Sequence, residues 1–142
     1  MAPHEDRTYH GVQHSPDHDG SVIEVTLPSE GWNLPSPRVL YRLAEPKGLN
    51  FTWGYDGRGT TVSAAAILAD VLGLSVEEVD FGGDPQWDGL REAFCHDILA
   101  QQLDEWRLRH RAVVRWAGGW YAQSGIKDVP QILRQGPPPP RY

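Results

Sequence analysis

Residues 51–61, FTWGYDGRGTT, gather the residue types that recognition of an anion requires. Gly54, Gly57 and Gly59 permit backbone turns and close approach. An apolar helical run follows at once, and a helix start presents unpaired N–H groups and a partial positive charge. A phosphate or carboxylate binds there without further machinery. Arg58 adds a bidentate clamp, Thr60 and Thr61 add hydroxyls, and Trp53 and Tyr55 add aromatic walls. Asp56 is the carboxylate that acid–base chemistry on such a ligand would use. The segment lacks a G-K-[ST] step and a G-x-G-x-x-G run, so it is neither a P-loop nor a dinucleotide fingerprint. The competing reading is structural: Trp53 and Tyr55 pack on the helix, the glycines turn the chain, and Asp56 pairs with Arg58.

Other stretches offer weaker chemistry. Arg107, Arg109, Arg111 and Arg115, with His110 among them and Trp106 and Trp116 beside them, form a candidate basic patch. It suits a single strand, RNA or an acidic protein, or else a solvated face paired with Asp104 and Glu105. Cys95 and His96 are adjacent, so on a helix their side chains diverge, and Cys95 borders an apolar stripe that dulls a thiol. Asp84 and Asp88 are a carboxylate pair in or beside a loop. His10, His14 and His18 with Asp17 or Asp19 have helical spacing for a metal, but Gly11, Pro16 and Gly20 break that helix. We therefore assign no metal and no cofactor. Residues 68–79 read as helix, Gly turn, capped helix, like a DNA-reading element. The second helix carries Glu77, Glu78 and Asp80, which repel phosphates.

The whole chain argues the same way. Its net charge is −6, and neutralising duplex phosphates takes clustered cations, so duplex DNA is not the expected partner. One cysteine in 142 residues allows no internal disulfide framework and no cysteine-based zinc site. The polar start MAPHEDRTYH lacks an apolar signal core, and no run is long enough to span a bilayer. The expected setting is the cytoplasm.

The elements that must position these residues follow from pattern. Residues 9–13 and 22–27 predict strands that form a hairpin, and 39–43 a third strand or a short helix. Residues 62–72 are apolar nearly all round, which predicts a buried helix capped by Thr60 or Thr61 and ended by Gly73. Ser75 and Glu78 form a capping box for a short helix. A longer helix is expected from about Asp88 to Leu103, with Leu90, Phe94, Ile98, Leu99 and Leu103 on its apolar side. Residues 106–109 suggest an extended link. A short helix over 110–116 is stopped by Gly118 and Gly119, with Trp120 and Tyr121 packing back. The expected fold is one α+β domain over 9–123, a small antiparallel N-terminal sheet on two to four helices. A polar arm (1–8) precedes it and an exposed Pro-rich tail (124–142) follows.

Phe51, Trp53, Gly54, Tyr55, Gly57 and Gly59, followed by the Ala- and Leu-rich run 64–72, resemble a bacterial domain family of unknown function found near phage, plasmid and other mobile elements. Its mark is an F-x-W-G-Y-x-G-x-G loop. The opening Tyr9-His10-Gly11 and the later Phe94, Ile98, Leu99, Trp106, Leu108 and Trp116 are similar too. Asp56, Arg58 and Thr60 stand where that loop is richer in Gly and Ser. The resemblance implies an accessory protein and carries no activity. The expectation is a non-enzymatic binding protein. Trp53, Tyr55, Asp56, Gly57, Arg58, Gly59, Thr60 and Thr61 would meet a protein or a small anionic ligand. The alternative is an enzyme on a phosphorylated or nucleotide substrate.

Overall fold

A computed structural model describes residues 7–13, 20–27, 38–74 and 85–134. Trp32, the capping box at Ser75 and Glu78, His14, His18 and residues 135–142 lie outside these. Among the described residues four strands form one antiparallel sheet in the order β3-β2-β1-β4. They are β1 (Thr8–Val12), β2 (Val22–Leu27), β3 (Arg38–Arg42) and β4 (Glu105–Arg109). β1 and β2 pair as the expected hairpin, with Tyr9 opposite Val25 and Gly11 opposite Ile23. β3 settles the open choice at 39–43 in favour of a strand, with an irregularity between Val25 and Thr26. β4 corrects the extended link. Glu105–Arg109 bonds along β1, with Gly11 opposite Trp106 and Tyr9 opposite Leu108. Alternation of Trp106 and Leu108 with Arg107 and Arg109 is the signature of a strand buried on one face.

One sheet face packs on helices. Helix α1 (Arg58–Leu72) buries residues around its whole circumference, from Thr60 to Val71. An all-apolar helix is stable only when covered on every side. Its end is as expected: Gly73 takes φ 76°, a left-handed value suited to glycine, and Leu74 N–H returns to the Ala69 carbonyl at 2.8 Å. Its start is not. The helix begins at Arg58, with Gly57 as N-cap and no side-chain cap, so neither Thr60 nor Thr61 performs that role. Helix α2 (Pro85–Asp97) starts earlier than expected and stops well before Leu103. A short 3-10 turn (Leu99–Gln101) follows. Leu90, Phe94 and Leu99 are buried, whereas Leu103 is 80% exposed, because the chain has left the helix before reaching it.

Helix α3 (His110–Gln123) runs through Gly118 and Gly119. Glycine weakens a helix by about 1 kcal/mol without forbidding it. Here Tyr121 is buried and the Trp120 ring covers Gly89, so packing beyond the glycines holds the last turn. The packed chain continues to α4 (Gln131–Arg134), where Leu133 is buried.

Two internal anchors fix the helices to the sheet. The first is aromatic: Trp106 lies over Gly11 and meets Trp53 edge-on, with centroids 5.3 Å apart. The second is polar. Asp70, in the last turn of α1, accepts hydrogen bonds from Tyr9 (2.6 Å) and Tyr41 (2.8 Å). Arg7 in turn donates to the Tyr41 hydroxyl at 2.9 Å. Burial and the adjacent Asp70 carboxylate push the Tyr9 phenol far up and the Tyr41 phenol up to about 12.

Candidate functional site

The loop before α1 is tied down residue by residue. Trp53 is buried, and its indole N–H donates to the Asp104 carbonyl at 3.3 Å. Gly54, at φ 87°, donates its N–H to the Leu99 carbonyl at 2.9 Å. A Cβ there would stand 3.1 Å from the Gln102 carbonyl, in a backbone region that side chains rarely adopt. Thr52 and Ser63 interlock below the loop. The Ser63 hydroxyl donates to the Thr52 carbonyl (2.8 Å) and accepts from the Thr52 N–H (3.1 Å). Gly59 is required by this crossing, since a Cβ there would lie 2.4 Å from Thr52 Oγ1.

The tie on the far side comes from α2. Asp56 Oδ2 meets His96 Nδ1 at 2.8 Å, and the Cys95 thiol points at Asp56 Oδ1 at 3.6 Å. Two expectations are corrected here. Asp56 pairs with His96 and not with Arg58, because α2 passes directly beside the loop. Cys95 and His96 do converge, because a third residue stands between them. The hydrogen bond to Asp56 raises the His96 imidazole above its usual range, and the same bond holds the Asp56 carboxyl below its own. Burial, more than the neighbouring carboxylate, pushes the Cys95 thiol up, with Thr61 and the Gly57 amide opposing. A thiol so placed is a poor nucleophile at neutral pH.

The Asp56–His96 pair has a definite pH window. His96 is raised in the folded state, so its contribution is fully present below the unfolded histidine pKa and is lost as pH climbs through the raised value. Asp56 is lowered, so its contribution is present above the unfolded carboxyl pKa and is lost as pH falls through the lowered value. Titrating the histidine ring protons by NMR will therefore place the His96 midpoint above that of a free histidine, and Asp56→Asn will bring it back down. A His96 midpoint unmoved by Asp56→Asn would mean that the tether does not form in solution.

Of the eight loop residues singled out from sequence, the structure divides the roles. Trp53 is an internal anchor. Thr60 is fully buried, its hydroxyl 3.2 Å from that of Thr52, and the Thr61 hydroxyl donates to the Gly57 carbonyl at 3.1 Å. Asp56 is a tether. Tyr55 is 56% exposed, its ring over Gly57, and Arg58 is exposed. Tyr55 and Arg58 thus stand at the surface beside the first turn of α1. That turn has no acidic residue, and its amides at Arg58, Gly59 and Thr60 have no intrahelical acceptor. Sequence reasoning missed His96 as a member of this site. The only available signal was its place one residue beyond Cys95, at the border of the apolar stripe of α2.

The basic run is spread over two elements. Arg107 and Arg109 lie on β4, and Arg107 sits 3.7 Å from Glu105. Arg111 and Arg115 follow on the first turns of α3. Leu103, 80% exposed, directly precedes Asp104, whose carbonyl accepts from the Trp53 indole. His10 faces across the sheet, 3.7 Å from Glu24 and 2.5 Å from Glu105. Among the described residues no three His, Cys, Asp or Glu side chains are arranged to hold a metal ion, and no helix is long and apolar enough to cross a membrane.

A family model described as a family of unknown function, DUF6166, matches residues 9–119, and the chain belongs to that family. No curated protein matches, and no solved structure matches.

Proposed function

We propose that this member of the family is a non-enzymatic binding protein that takes an anionic group, phosphate or carboxylate, at the start of α1. The group belongs to a small ligand or to the surface of a partner protein. One observation carries the reading. The loop is fastened on both sides, by Trp53 and Gly54 on one and by Asp56 to His96 on the other, while Arg58 and Tyr55 are left exposed beside an uncapped helix start. A platform ordered before binding loses little entropy on binding, so modest contacts suffice. The Asp56 carboxylate is engaged by the His96 ring, and Arg58 and the helix dipole supply positive potential beside it.

The alternative, an enzyme acting on a phosphorylated or nucleotide substrate, draws less support. Asp56 is the carboxylate that would serve it, and a carboxylate held below its usual range by His96 is a weak base and a weaker reserve of protons. We place the protein in the cytoplasm, among accessory proteins of mobile or accessory genomes, on the strength of the loop resemblance.

The reading is tested by melting the protein against nucleotides, cyclic nucleotides and sugar phosphates, with Arg58→Ala in parallel. A true ligand at 100 times its Kd adds about 2.7 kcal/mol, a shift of several degrees. That shift should appear in the wild type and vanish in Arg58→Ala. A shift retained in Arg58→Ala moves the site elsewhere. No shift across the panel leaves a partner protein as the bearer of the anionic group.

A further inference from the structure

We propose that the outer edge of β4 is a strand-addition site for an extended acidic segment of a partner protein. β4 is a terminal strand of the sheet, and among the described residues it pairs only with β1. An edge strand presents a row of backbone N–H and C=O groups that an extended peptide completes. Side-chain charge then decides which peptide. Alternate positions of β4 carry Glu105, Arg107 and Arg109, all exposed. This is a cationic margin on a chain whose net charge is −6.

The one acid in the strand is already engaged. Glu105 lies 2.5 Å from His10 and 3.7 Å from Arg107, and the imidazole beside it holds its carboxyl below the usual range. The pair with Arg107 joins two side chains that are each more than half exposed, and such pairs hold weakly. Arg107 is therefore available to a stronger partner, and Arg109 extends the same row two residues on. A second copy paired antiparallel about Arg107 would set the two Arg107 side chains against each other and oppose each Arg109 to a Glu105 already engaged by His10. An acidic strand meets it with opposite charge at alternate positions. Leu103, 80% exposed just before β4, offers an apolar contact at the end of that edge. The surface is distinct from the Arg58 platform, so the two readings stand or fall separately.

The test uses the full chain, isotopically labelled, and two short synthetic peptides, one alternating Glu and Val and one alternating Lys and Val. The acidic peptide should bind saturably, weaken with added salt, and slow hydrogen exchange at the outward backbone amides of Glu105, Arg107 and Arg109, which alternate with those bonded to β1, while the Lys peptide should not. Arg107→Glu with Arg109→Glu should weaken the acidic peptide about tenfold or more and admit the Lys peptide. Arg107→Gln with Arg109→Gln, which keeps the strand's length and polarity, should give an intermediate loss. The proposal is overturned if the β4 amides stay unprotected, if only residues 55–59 respond, or if the charge variants bind the acidic peptide unchanged. It is equally overturned if a single-stranded oligonucleotide occupies the same amides more tightly, or if the free protein sediments as a dimer through this edge.

Discussion

Replacing Gly11 with alanine will destabilise the protein by about 3 kcal/mol, at the upper end of what overpacking usually costs. The methyl would lie 2.2 Å from Trp106 Cε2 and 2.4 Å from its Nε1, distances at which something must move. The indole cannot swing away easily. It is 5% exposed and meets Trp53 edge-on, and Trp53 is itself held by the Asp104 carbonyl. Moving β1 instead would break its register with both β2 and β4. Urea denaturation of Gly11→Ala measures the loss. Trp106→Leu should cost a similar amount alone. Combined with Gly11→Ala it should cost clearly less than the two added together, because the smaller side chain leaves room for the methyl. Strict additivity would show that the two residues do not share a contact.

Asp70→Ala is the second large effect, about 3 kcal/mol, since hydrogen bonds to a charged group contribute roughly 1.5–3 kcal/mol and a stranded buried donor adds its own cost. The Tyr9 hydroxyl is the donor that suffers, because Tyr9 is fully buried and Asp70 accepts its bond. Tyr41 loses less, since it is only partly covered and water can take up its freed O–H. Tyr9→Phe should therefore be milder than Asp70→Ala. Asp70 also stands in the last turn of α1, the end of a helix where a negative charge is unfavourable. Its place there is explained by two phenol donors and not by the helix. If Asp70→Ala proves as stable as the wild type in urea, the polar anchor between α1 and the sheet contributes nothing.

Local pattern carried most of the fold into view. The hairpin of β1 and β2, the all-buried α1 and the glycine that ends it are each written in consecutive residues. What stayed hidden depends on partners distant in sequence. β4 is five residues long, and its strand character is decided by pairing with β1, nearly a hundred residues earlier. The glycines in α3 are carried through by Trp120 and Tyr121, whose packing no local rule weighs. At the site, the loop was recognisable from its glycines and aromatics, but its wiring was not. His96 reaches Asp56 only because α2 folds beside the loop, and Thr60 and Thr61 turn inward because α1 starts at Arg58. Three segments far apart in the chain also meet at one point. β1, the loop before α1 and β4 converge there, with the Trp106 ring over Gly11 and edge-on to Trp53.

That aromatic contact holds the loop, and the loop presents Arg58 at the start of α1, the proposed anion site. The most direct test is an amide-resolved NMR titration with inorganic phosphate. Saturable shifts confined to the backbone amides of Gly57, Arg58, Gly59 and Thr60 and to the Arg58 side chain, abolished by Arg58→Ala, are the predicted result. Shifts that grow without saturating, or that saturate at other residues and persist in Arg58→Ala, would contradict it.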